Sequence, residues 1–174
     1  GETLLSIQNL YQDSEDPYGV SIKNLNLEVK SGQVLGIGGV AGNGQEELMT
    51  ALSGELKPKK GKILFNGALI NYLNSEERRS LGIFSAPEER LGHAACPDMK
   101  LSDNVLITCS RTANLTKYGF IQKDLTRDLT QDIISKFNVR ARDTSSLAAS
   151  LSGGNLQKFV IGRELLQNPK LLVI

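Results

Sequence analysis

Leu151-Ser152-Gly153-Gly154-Asn155-Leu156-Gln157-Lys158 sets a hydroxyl and two glycines ahead of a helical run that ends at Asn168-Pro169. Such a helix start displays a hydroxyl and unpaired amides, and free N–H groups at a helix N-terminus form a ready anion cradle. A second glycine cluster, Gly39-Val40-Ala41-Gly42-Asn43-Gly44-Gln45-Glu46, lies just over one hundred residues upstream. It follows Gln33-Val34-Leu35-Gly36-Ile37, which reads as a short buried strand, and precedes a helix from Glu46 to Leu52 closed by Gly54. Strand, glycine turn, helix is the context in which backbone amides wrap a phosphate.

The upstream cluster departs from the phosphate-loop pattern at two positions. Gln45 stands where a lysine reaches the β- and γ-phosphates, and Glu46 stands where a Ser or Thr hydroxyl ligates Mg²⁺. Losing a charged donor forfeits about 1.5–3 kcal/mol. A carboxylate ~4 Å from a phosphate charge repels it by up to ~4 kcal/mol at an effective dielectric of 20. Backbone amides can still hold a nucleotide there, but fast hydrolysis is not expected. On the loop alone, a bare strand-to-helix turn is an equal alternative.

Outward from these clusters the chain alternates strands and helices. Leu4–Leu10 and Val20–Val29 carry strand patterning, joined by a polar loop from Gln12 to Pro17. Lys57–Gly61 reads as a solvated basic turn, Lys62–Phe65 as a strand, and Asn66-Gly67 as a hairpin turn. A short charged helix over Ser75–Ser80 precedes a strand over Gly82–Ala86, then a loop from Pro87 to Lys100. Ser102 is placed to cap a helix through Thr108. Asp124–Phe137 is amphipathic, with Leu125, Leu129, Ile133 and Phe137 expected on its buried face. Leu156–Gln167 is the last helix, and Leu171–Ile174 opens a buried strand. Ending on that apolar run suggests a fragment. The fold expected is α/β with an antiparallel piece at the N-terminus.

Composition removes several functions. With 20 Lys plus Arg against 19 Asp plus Glu, a net charge of +1 provides no field for nucleic acid. Nine Phe and Tyr without Trp argue against a base-stacking surface. Two cysteines, Cys96 and Cys109, are too few for a disulfide framework and suit a reducing compartment. Neither a signal peptide nor an apolar run of ~20 residues is recognisable. His93 and Cys96 stand three apart but lack a second ligand pair, so no metal site is expected; Cys109 reads as a small apolar helix residue.

Together the two clusters resemble ABC-type ATP-binding domains, whose signature motif reads Leu-Ser-Gly-Gly-Gln, and the resemblance covers essentially all of residues 1–174. It implies a P-loop core over about 1–86 and 155–174, with a helical subdomain over about 87–154 carrying the signature. The loop sequence, Ala-Pro-Glu-Glu-Arg at 86–90 and Asn155 narrow it further. They are similar to the second, C-terminal ATP-binding domain of fused bacterial importers for simple sugars and nucleosides.

That resemblance makes Gly39, Val40, Ala41, Gly42, Asn43, Gly44, Gln45 and Glu46 a degenerate Walker A loop, and Glu88 the counterpart of the Q-loop glutamine. Leu151, Ser152, Gly153, Gly154, Asn155 and Gln157 become the signature, and no catalytic residue is expected within 1–174, since the Walker B acid and later motifs would follow Ile174. Either Tyr11 or Tyr18 could stack on adenine, and residues 88–104 would face membrane-spanning subunits.

ATP and Mg²⁺ are implied at a site shared with a second ATP-binding domain, in the same polypeptide or a dimer. Permease subunits and a peripheral place on the cytoplasmic face of the plasma membrane are implied as well. A non-catalytic regulatory or dimerisation module with the same fold is the alternative. A DNA-repair or translation ABC protein fits less well, because those keep the loop lysine and carry basic or coiled-coil insertions.

Overall fold

The computed structural model describes residues 1–87 and 92–174. It divides into two compact units, one of residues 1–83 with Val173 and one of residues 84–172 with Ile174. Residues 155–172, expected with the core, group with the second unit.

The first unit is built on an antiparallel sheet of β1 (Thr3–Gln12), β2 (Ile22–Lys30), β3 (Lys60–Phe65) and β4 (Ala68–Leu69), in the order β2-β1-β3-β4. Alternation sends Leu5 and Ile7 inward, opposite Phe65 and Ile63. A bulge at Asn9 (φ 48°) then shifts the parity, so the buried residues become Leu10 and Gln12. Asn66 and Gly67, both at positive φ, make the tight turn expected between β3 and β4.

Helix α1 (Gln45–Ser53) buries Leu48, Ala51 and Leu52 and stops at left-handed Gly54. Helix α2 (Ser75–Leu81) starts in a capping box of Asn74 and Glu77. Its Arg78 is buried rather than solvated, donating to the carbonyls of Ala51, Leu52, Ile70 and Leu73. Burial pulls its pKa down to about 10, still far above neutral, so the guanidinium stays charged and locks the C-terminal end of α1.

One expected strand is absent. Gln33–Ile37 pairs with no strand among the described residues, and Val34 is 97% and Ile37 55% exposed. Gln33 instead closes a turn, donating its N–H to the Lys30 carbonyl and accepting the Lys30 N–H on its side chain. With glycine at 36 and 38 only three side chains remain to drive burial, and extended backbone without a ladder partner bonds to water.

The second unit packs α3 (Leu101–Cys109), α4 (Lys123–Lys136) and α5 (Gly153–Leu165) around Leu101, Val105, Cys109, Ile133, Ile134, Leu156, Phe159 and Val160. Ile83–Ser85 and Leu171–Val173 form the short strands β5 and β8, and the second unit also holds a hairpin of β6 (Thr116–Lys117) with β7 (Phe120–Ile121). The apolar residues of β8 are half-buried rather than enclosed.

Two helix expectations need correction. Lys100, not Ser102, is the N-cap of α3, because Leu101 and Ser102 donate their amides to the carbonyls of Ser146 and Thr144. The buried face of α4 is Thr126, Thr130, Ile133 and Ile134, while Leu125 is 47% exposed. Of the expected face, Leu129 and Phe137 are half-buried and pack against the core beside Ile133, so Leu125 is the one residue misplaced. The two buried threonines donate to the carbonyls of Gln122 and Thr126, which satisfies their hydroxyls.

Candidate functional site

The upstream cluster forms an exposed loop that delivers the chain into α1. Gly42 (φ 83°) and Gly44 (φ 98°) adopt left-handed conformations, and Gly44 is the N-cap. The loop folds around the side chain of Gln45. Oε1 of Gln45 accepts the Asn43 N–H at 2.9 Å, and Nε2 donates to the Val40 carbonyl at 3.1 Å. Asn43 Nδ2 donates to that same carbonyl at 3.0 Å. Nε2 also lies so near Gly39 that a Cβ there would stand 2.9 Å from it. Glu46 is exposed in the first turn of α1. The carbonyl of Val20 and Cγ1 of Ile22 each lie 3.6 Å from where a Cβ on Gly44 would stand, so the segment following Tyr18 runs beside the loop. Tyr18 is 96% exposed, while Tyr11 is half-buried in β1.

The downstream cluster is open. Helix α5 begins at Gly153, so both signature glycines lie in its first turn rather than ahead of it. Ser152 is the N-cap, is exposed, and makes no capping bond to the helix amides. Its Oγ accepts Asn155 Nδ2 at 2.9 Å, and Asn155 Oδ1 accepts the Arg140 N–H at 2.8 Å. Asn155 thereby links the Ser152 hydroxyl to the backbone at Arg140. A Cβ on Gly154 would meet nothing within 4 Å. Leu151 and Leu156 are buried beneath this surface, and Gln157 is exposed beside it. Among the described residues the result is a first turn of amides and one hydroxyl presented to solvent.

The support beneath α5 was not evident in the sequence. Arg163 and Glu164 are buried and ion-paired at 3.0 Å, and Arg163 Nη2 donates to the Ala94 carbonyl at 2.9 Å. Buried Asn104 brackets Cys96, accepting its N–H and donating to its carbonyl and those of Met99 and Lys100. These two side chains fix the segment from 94 to 100. Glu88, read as the Q-loop position, lies outside the described residues.

The family model for the ABC transporter matches residues 22–174. The chain belongs to the ABC transporter family. Sequence relatives include the guanosine import ATP-binding protein NupO of Bacillus subtilis (strain 168), 35% identical over 91% of this chain and 31% of that protein. The nucleoside import ATP-binding protein NupA of Lactococcus lactis subsp. cremoris is 30% identical over 99% of this chain and 34% of its own length. The ribose import ATP-binding protein RbsA of Clostridium tetani is 30% identical over the whole chain and 33% of its length.

The chain therefore spans about a third of the length of these relatives. A dimeric ATP-binding cassette, MJ0796, bound to ADP and Pi superposes with a TM-score of 0.77 at 20% identity, covering 97% of this chain and 72% of that one. A nucleotide-free ATP-binding cassette superposes at 0.69 and 20% identity, over 98% of this chain and 68% of that one. The fold is that of an ABC ATPase. Family membership implies ATP binding, typically with Mg²⁺, and no helix among the described residues is long and apolar enough to cross a membrane.

Proposed function

We propose that this chain is an ATP-binding domain of an importer for nucleosides or simple sugars, lending its signature to a partner domain's ATP while its own loop binds weakly. The observation that carries this reading is the contrast between the two glycine clusters. Ser152 and Gly154 are open to an incoming anion, whereas the Asn43 amide is already taken by Gln45. A γ-phosphate presented by a second ATP-binding domain would meet the α5 amides and the Ser152 hydroxyl, and charge at a helix N-terminus is stabilised there. The names of the relatives, import ATP-binding proteins for guanosine, nucleosides and ribose, support the substrate class. Equivalence to the second ATP-binding domain of a fused polypeptide rests on the altered loop and Asn155.

ATP fits the donor set in part. The amides of 39–44 and the α1 N-terminus suit phosphate, but Gln45 supplies no charge and Glu46 adds a negative one. Mg²⁺ is normally held by one or two carboxylates, phosphate oxygens and water, so Glu46 is the residue here that would hold it. Tyr18, exposed two residues before the strand of chain that passes Gly44, is the better placed adenine-stacking residue. Residues 88–104 would contact permease subunits, with the assembly peripheral to the cytoplasmic face of the plasma membrane.

The self-bonded loop also favours a second reading, a regulatory module without turnover of its own. Uptake of labelled nucleoside or pentose into vesicles, driven by ATP and the full-length protein with its permease, decides between them. The importer reading requires Ser152→Arg to stop uptake, and uptake at the wild-type rate would contradict it.

A further inference from the structure

We infer that Gln45 sets how tightly the loop at 39–46 takes a nucleotide, by competing with phosphate for the loop's own backbone groups; this rests on reading that loop as a phosphate loop. A phosphate oxygen only accepts hydrogen bonds, so it needs the N–H groups that line the turn. One of them, the N–H of Asn43, is given to Oε1 of Gln45. The same carboxamide donates to the Val40 carbonyl, so it is tied at both ends. Such bonding needs a group that carries both a donor and an acceptor, as a carboxamide does. A lysine ammonium carries donors alone and would leave the Asn43 amide for the ligand.

Gly39 leaves room for this arrangement, because a side chain there would push Nε2 aside from its present place. The substitution of Gln for the loop lysine therefore does two things. It removes a positive charge from the ligand's side, and it installs an internal occupant that the ligand must displace.

The apparent affinity of such a loop is its intrinsic affinity scaled by the fraction with Gln45 withdrawn. Two neutral hydrogen bonds in an exposed loop, each near the weak end of the usual net range, keep that fraction near one in ten. Gln45→Met preserves length and helix propensity while removing both bonds, so the half-saturating ATP concentration at this loop falls about tenfold.

Hydrogen–deuterium exchange of the peptide spanning 39–44, measured in the full-length protein during an ATP titration, reads this loop and no other site. Without ATP, Gln45→Met speeds exchange at Asn43 by about tenfold. With ATP, protection of the peptide sets in at about one tenth of the wild-type concentration. If Gln45 is instead a phosphate donor, the variant needs more ATP than wild type, and the competition is refuted. Faster Asn43 exchange with no ATP protection in either protein overturns the reading of 39–46 as a nucleotide loop, and the competition with it. Unchanged Asn43 exchange beside normal ATP protection overturns the latch alone.

Discussion

The loop at 39–46 and the turn at 151–157 start from the same material, glycines ahead of a helix, and end in opposite states. In the first, N-cap Gly44 is left-handed and the first helical residue, Gln45, reaches back to bond the loop. In the second, N-cap Ser152 is extended (φ −62°), and the third helical residue, Asn155, bonds outward to Ser152 and Arg140. Both use a carboxamide in the first turn. One spends it on the Asn43 amide that a phosphate would need, and the other on the Ser152 hydroxyl and the Arg140 amide. Glycine spacing is thus not what separates a closed cradle from an open one. The direction in which one neighbouring side chain bonds is.

The two helices differ in the supports beneath them. Arg163→Met leaves the Glu164 carboxylate without its Arg163 partner and the Ala94 carbonyl without its donor, at a cost of about 3–5 kcal/mol. Native-state hydrogen exchange should show that loss across α5 and leave α1 unchanged. Arg78→Met is the mirror case: the carbonyls at the end of α1 lose their donor, and α1 opens with about 2–3 kcal/mol less protection while α5 is unaffected.

Gly162→Ala is a subtler probe. A Cβ there would run into the Phe137 ring, so the gain in helix propensity is outweighed and denaturant melting of the second unit should shift by about 1–3 kcal/mol. The smallest change is Asn155→Ala, worth about 1 kcal/mol. Its informative effect is on the Ser152 hydroxyl, which is then free to cap its own helix, and the Gly154 and Asn155 amides should become more protected from exchange.

Much of this was readable from residues alone. Period-two patterning located β1 and β2, Asn66-Gly67 marked its turn, and Leu-Ser-Gly-Gly placed a helix start within a few residues of where it lies. Two of the misses share a cause. Side-chain bonds that reach across the chain leave no periodic trace, so Arg78 read only as one charge of a short charged helix although it is buried. Asn155 read as a variant signature letter although it bridges to Arg140 across 15 residues. The apolar letters of Gln33–Ile37 suggested burial, yet burial of a strand depends on partners that local composition does not specify. For Gln45 the sequence revealed what was missing, a charge, but not that its carboxamide has a bonding pattern lysine lacks.

The asymmetry between the two clusters shows itself in ATP hydrolysis by the full-length protein assembled with its permease. Ser152→Arg should lower the rate by roughly 100-fold or more, as removal of transition-state donors does. Gln45→Ala should move it by no more than about threefold, since it touches only the weaker site. Equal losses from the two changes, or a Ser152→Arg enzyme that hydrolyses normally, would contradict that asymmetry.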